Sequence, residues 1–116
     1  MWLKVIHVLT HGICMSTDDG EKLRNLIILE LMRGLGVTVD FKGCDQAMLG
    51  CFFNVAFGSL LNFFPRKMID KELTVTGLSP LNQDMVKRAL DTTEEWLSLS
   101  TEEKAFRSNA WKVAVE

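Results

Sequence analysis

From Ala47 to Phe64 the chain runs for eighteen residues without an acidic or basic side chain, and Pro65-Arg66-Lys67 follows directly. A stretch of that length and polarity has two destinations, a bilayer or the interior of a folded domain. Asn54, Ser59 and Asn62 would be costly in hydrocarbon, whereas a protein core can satisfy them locally, and Gly50 and Gly58 weaken a spanning helix. The segment therefore predicts a buried central helix from about Leu49 to Phe63. Phe53, Val55, Ala56, Phe57, Leu60, Leu61 and Phe64 supply much of its core volume, and Pro65 ends it. The phenylalanines at this spacing read as core rather than as an aromatic ligand pocket, and Arg66 and Lys67 read as a solvated turn.

The flanking segments supply a sheet for that helix to cover. Trp2 to Leu9 reads as a first strand, with a turn at Thr10-His11-Gly12 and a short return through Ile13 to Met15. Thr17, Asp18 or Asp19 caps a helix that starts near Glu21 and stops at Gly34 and Gly36. Its apolar residues spread around much of the helical circumference, so one sheet face does not bury them all. Val37-Thr38-Val39-Asp40-Phe41, closed by Gly43, reads as an inner strand. Glu72 to Thr76 alternates apolar Leu73 and Val75 with Thr74 and Thr76, a strand with one wetter face, toward an edge. Ser79-Pro80 starts a helix whose inward stripe is Leu81, Met85, Val86, Ala89 and Leu90. Thr92-Thr93-Glu94-Glu95 and Ser100-Thr101-Glu102-Glu103 both fit a capping box, predicting a short helix and then a terminal one with Phe106, Ala110 and Trp111.

Alternation of strand and helix in this order implies an α/β domain with a small, mostly parallel or mixed sheet flanked by helices, and an extra C-terminal helical segment. With 116 residues one domain is expected. Its bounds are residues 1–90, and 91–116 form a helical extension packed on the domain or on a partner subunit. A net charge of −2 leaves no excess of cations for a phosphate backbone, which argues against nucleic acid as partner. Lys4 and His7 interrupt the early apolar stretch, so no signal peptide is expected. Cys14, Cys44 and Cys51 form no CxxC pair and read as thiols of a reducing cytoplasm. His7 and His11 stand four residues apart in a strand and turn, so no metal site and no cofactor are expected. No glycine-rich phosphate loop follows a strand and no GxSxG elbow occurs, so catalysis has no motif to rest on.

Three stretches carry a family resemblance: Gly20-Glu21-Lys22-Leu23-Arg24, the strand Val37 to Gly43, and Gly50 to Leu60. With Val37, Asp40, Phe41 and Gly43 as V-x-x-D-F-x-G, then Phe57-Gly58-Ser59-Leu60 as F-G-x-L, and Thr76-Gly77-Leu78-Ser79-Pro80 after them, the chain resembles STAS-like domains over roughly Met1 to Leu90. That family includes anti-sigma-factor antagonists and the STAS domains of sulfate transporters. The resemblance implies a non-enzymatic regulatory domain that binds a switch protein, such as a histidine-kinase-like ATPase, through a corner at Asp40, Gly50, Cys51 and Asn54. In antagonists of this kind the corner presents a serine that the partner kinase phosphorylates. Gly50 and Cys51 occupy the matching positions, so that switch is not expected here.

Each corner residue also has a plainer reading. Asp40 suits a strand-end acid satisfied by backbone N–H groups, Cys51 a small packed thiol, and Asn54 a helix-side cap. Trp96, Phe106 and Trp111 lie beyond the matched region, on segments too short to build a core, and mark a possible self-association surface. A homo-oligomeric interaction module and a small-molecule or anion sensor are the alternative functions.

Overall fold

The β-branched run at Val37–Asp40 forms the middle strand of a sheet in a computed structural model, which describes residues 1–9, 14 and 16–105. The sheet has three parallel strands in the order β1 (Trp2–Lys4), β2 (Val37–Asp40), β3 (Leu73–Thr76). Parallel pairing follows because helical crossovers return the chain to the same end of the sheet each time. Trp2 lies beside Thr38 and Thr38 beside Thr74, while Lys4, Asp40 and Thr76 form the next row on that face. On the other face Leu3, Val39 and Val75 form a row, next to the pair Val37 and Leu73. The apolar face is packed against the helices, whereas Trp2, Lys4 and Thr74 are exposed. The period-two pattern read from the threonines of β3 is thus the pattern of the whole sheet.

Five α-helices complete the main body: α1 (Val5–Leu9), α2 (Thr17–Met32), α3 (Gly50–Ala56), α4 (Arg66–Glu72) and α5 (Pro80–Ser98). The core centres on Phe41, Phe52, Phe53 and Phe57, all at most 1% exposed. Phe41 meets Phe52 edge-on at 6.3 Å between centroids and Phe57 at 6.1 Å, tying the end of β2 to α3. Burial of each such ring stabilises the fold by roughly 1.5–3 kcal/mol.

Several elements differ from the sequence expectation. The first strand stops at Lys4, and Val5–Leu9 turns helical, because Val5 and Leu9, four residues apart, are both buried on one side of that turn. Thr10 to Ile13 and Met15 lie outside the described residues; Cys14 is buried and in no strand. The cap of α2 is Ser16, whose hydroxyl accepts the Asp19 N–H at 3.1 Å, rather than Thr17, Asp18 or Asp19.

The uncharged segment is not one helix. It divides into α3 and a 3-10 helix at Gly58–Asn62. Ser59 donates its hydroxyl to the Val55 carbonyl, competing with the helical ladder at the break. Among the described residues no helix is long and apolar enough to cross a membrane.

Arg66 and Lys67 do not form a solvated turn but begin α4, with Pro65 as its cap residue. Arg66 donates from Nε to Asp70 at 2.9 Å within the same helix and from Nη1 to Asp91 of α5 at 2.8 Å, with Glu94 at 3.5 Å. Thr92-Thr93-Glu94-Glu95 starts no new helix, because it lies inside α5, which runs unbroken through Leu90 to Ser98. The second capping box does act as one. Ser100 accepts the Glu103 N–H at 3.2 Å, and residues 101–105 are helical.

Gly58 is the tightest point between the 3-10 helix and α5. A Cβ there would lie 2.7 Å from Thr93 Oγ1 and 3.0 Å from the Ala89 carbonyl oxygen. Gly58→Ala is expected to cost about 1–3 kcal/mol in urea denaturation. Adding Thr93→Ala should recover only part of that loss, since the backbone carbonyl of Ala89 remains in place.

Candidate functional site

The residues singled out from the sequence lie where the sheet ends. Asp40 closes β2, and its carboxylate accepts the Lys42 N–H at 3.0 Å and the Thr76 hydroxyl at 3.3 Å. The first closes a local turn after the strand, the second joins β2 to β3, and both fit the plainer reading of Asp40 as a satisfied strand-end acid. Gly77 makes the closure possible: its φ is +79°, and a Cβ there would lie 2.5 Å from the Lys42 nitrogen and 2.8 Å from Asp40 Oδ1.

From Phe41 the chain crosses to α3 through residues 42–49. The Cys44 N–H returns to the Phe41 carbonyl at 3.0 Å, and the Asp45 carboxylate accepts the Ala47 N–H at 2.9 Å. Gln46 fastens the crossing to α5. Its Oε1 accepts the Ser79 N–H at 2.9 Å and the Asn82 amide at 3.0 Å, and its Nε2 donates to the Gly77 carbonyl at 3.3 Å. Asn82 also donates to the Gln46 backbone carbonyl at 2.8 Å and is itself only 2% exposed. This clamp turns α5 relative to the expected stripe: Asn82 faces in, while Leu81, expected to be buried, is 72% exposed.

Downstream of the clamp, Gly50 opens α3 and faces α5. Gly50 and Asn54 line one wall of a groove of about 230 Å³, and Met85, Arg88, Ala89 and Thr92 line the other. A Cβ on Gly50 would stand 3.5 Å from the Met85 methyl, so the wall is close but not crowded. Arg88 lines the groove and pairs with Asp84 at 2.8 Å along the helix. Cys51 and Asn54 are exposed on α3, and Leu49 and Leu81 are exposed at the same end. The structure thus brings Gly50 and Asn54 together with α5, while Asp40 and Cys51 do not line the groove.

Trp96 lies near the end of α5, with the Lys104 ammonium 5.8 Å from its ring centre. Phe106 and Trp111 lie outside the described residues. Gln46, Asn82, Met85 and Arg88 carry no motif that marks them. The one signal available was the Ser79-Pro80 helix start, which calls for a partner to its first free N–H groups.

Cys14 and Cys44 share the core beside this corner, and the Cys14 carbonyl accepts the Leu49 N–H at 3.3 Å. Burial, then the neighbouring Cys44, pushes the Cys14 thiol up to about 12. Burial likewise raises Cys44, against a hydrogen bond from Cys14 that lowers it. Among the described residues, no group of three or more His, Cys, Asp or Glu side chains is placed to hold a metal ion.

Residues 19–83, from the first turn of α2 to the first turn of α5, match a family model described as a STAS-like domain of unknown function (DUF4325). The match covers more than half of the chain and carries the sheet crossing, α3 and the start of α5. The chain belongs to this STAS-like family. No curated protein and no solved structure matches it.

Thiol chemistry distinguishes the three cysteines. With a pKa near 12, the thiolate fraction of Cys14 at pH 8 is roughly one part in ten thousand. Iodoacetamide at that pH should modify exposed Cys51 at least about tenfold faster than buried Cys14 or Cys44 in native protein, and all three in denaturant. Peptide mapping reads the order, and equal native labelling of Cys14 and Cys51 would contradict the packing described.

Proposed function

We propose that this chain is a non-enzymatic regulatory module of the cytoplasm. It docks a protein partner, of the histidine-kinase-like ATPase class, through the start of α3 and the facing side of α5. The observation that carries this reading is the groove in which Gly50 and Asn54 oppose Met85, Arg88, Ala89 and Thr92, at a helix start where Leu49 and Cys51 are also exposed. Membership in the STAS-like family supports it, since the groove lies at the helix start to which the resemblance to anti-sigma-factor antagonists assigns docking.

The shape of the groove favours a protein over a small molecule. Small-molecule sites usually enclose about 300–1,000 Å³. This one holds about 230 Å³, and Asn54, Arg88 and Thr92 on its walls are exposed. A flexible methionine, an arginine and small residues form a surface that a partner side chain can enter.

Asn54 is exposed, so Asn54→Lys should leave folding unchanged while placing a long cation against Arg88 and the partner. Pull-down from the native host with wild-type and variant chains, each shown folded by circular dichroism, is expected to lose the partner by about tenfold or more in the variant. Equal recovery would remove this surface from the reading.

Control by phosphorylation should be missing at this helix start. Residues 48–54 contain no hydroxyl side chain, so an antagonist-type kinase has no oxygen to modify there. A phosphate would add about −1.5 to −2 charge at the surface and alter partner affinity. Incubation with a kinase of that class and ATP, followed by intact-mass and peptide analysis, is expected to show no adduct in this segment.

A further inference from the structure

Two of the cysteines meet inside the molecule, from segments far apart in the chain. Cys14, between α1 and α2, is 0% exposed, and Cys44, in the crossing from β2 to α3, is 8% exposed. The Cys14 thiol donates a hydrogen bond to the Cys44 sulfur, so the two sulfur atoms are in direct contact. Neither residue belongs to a helix or a strand. The backbone joins the same two segments, since the Cys14 carbonyl accepts the N–H of Leu49 at the far end of the crossing, at 3.3 Å. Cys44 is held by its own N–H to the Phe41 carbonyl at 3.0 Å, and by a long bond from Gln46 Nε2 to its carbonyl at 3.5 Å.

A buried cysteine ordinarily serves as a small apolar side chain. This pair has properties that packing does not require. Both sulfurs stand on irregular backbone, which can absorb the small movement from hydrogen-bonded to bonded separation that a helix or strand would resist. Cys44 keeps some contact with solvent, whereas Cys14 has none, so an oxidant scarcely larger than water meets Cys44 first. The hydrogen bond from Cys14 favours negative charge on Cys44, which makes Cys44 the attacking sulfur and Cys14 the thiol that follows. Burial raises the Cys44 thiol and Asp40 adds to it, so thiolate is scarce and the pair answers sustained oxidant rather than brief exposure.

We propose that Cys14 and Cys44 form a peroxide-sensitive dithiol that closes to a disulfide within the folded domain. The Cys44 thiolate attacks one oxygen of hydrogen peroxide, the O–O bond breaks, and Cys44 becomes a sulfenic acid while the second oxygen leaves as water. The Cys14 sulfur then attacks the Cys44 sulfur, the S–O bond breaks, and the departing hydroxide takes the Cys14 proton. The two thiols give up two electrons in all, and one peroxide becomes two waters. Closed, the pair ties the segment ahead of the Ser16 cap to the crossing that carries Gln46. That adds a covalent anchor to a crossing otherwise held by packing and hydrogen bonds. The reaction needs only these two thiols, so it does not depend on the docking assigned to the groove.

Treatment of the folded full chain with hydrogen peroxide at pH 8, then alkylation in denaturant without reduction and peptide mapping, tests the proposal. The expected product is a linked pair of peptides carrying Cys14 and Cys44, lighter than the two free peptides by two hydrogen atoms. Native circular dichroism should be retained and the urea midpoint raised by roughly 1–2 M, and dithiothreitol should reverse both the link and the shift. Cys44→Ala should leave Cys14 a thiol, whereas Cys14→Ala should leave Cys44 as a sulfenic acid that dimedone traps. The wild-type map decides the matter even where a variant fails to fold. Cys14 and Cys44 both still alkylated after Cys51 is fully oxidised, a pairing with Cys51 in place of the Cys14–Cys44 link, or a link that forms only as the native signal is lost overturns the proposal.

Discussion

The packing of Phe41 against Phe52 and Phe57 fixes the geometry on which the rest of the molecule depends. Phe41 is the first residue after β2, so its ring sets where the chain leaves the sheet and how far α3 stands from it. From the other side α2 approaches α3 so closely that a Cβ on Gly20 would meet the Phe52 carbonyl and Val55 at 3.0 Å. With α3 held between α2 and the aromatic cluster, Gly50 and Asn54 have one possible outlook, toward α5. The groove is a consequence of core packing, not a separate device.

Much of this was legible in the sequence because its signals were local. Val37 to Asp40 between glycines, the alternation of Leu73 and Val75 with two threonines, and Ser79 before Pro80 each name an element by period or cap chemistry. The resemblance to STAS-like domains pointed to the start of the central helix, and Gly50 and Asn54 do line the groove there. What stayed hidden depends on contacts across the fold. The break near Gly58 follows from the closeness of Ala89, and α4 from an arginine shared between Asp70 and Asp91, far apart in sequence. Val5 to Leu9 has strand-forming residues, but tertiary burial of Val5 and Leu9 selects a helix. Asn82 exchanges places with Leu81 at the surface because Gln46, distant in sequence, supplies its partner.

A sheet covered on one side divides the molecule into zones of different character. Leu3, Val37 and Val39 face the helical layer and are fully or nearly buried, whereas Trp2, Lys4 and Thr74 on the reverse meet water. The polar row of Lys4, Asp40 and Thr76 keeps that reverse face wet toward the strand ends, while its beginning carries Trp2. On the sheet itself, large apolar exposure is thereby limited to Trp2 at the start of β1.

The Gln46 clamp has a further consequence, in the time course of any encounter at the groove. Pulling the 42–49 crossing away from α5 would leave the buried Asn82 amide without its partners, at a cost of roughly 1–3 kcal/mol while it stays out of reach of water. Opened forms of the corner are therefore disfavoured, and a partner docking as proposed would meet a surface already in its final shape. Association at such a surface is limited by orientation rather than by rearrangement, with rate constants of about 10⁵–10⁷ M⁻¹s⁻¹, so differences in affinity among partners would appear as differences in residence time.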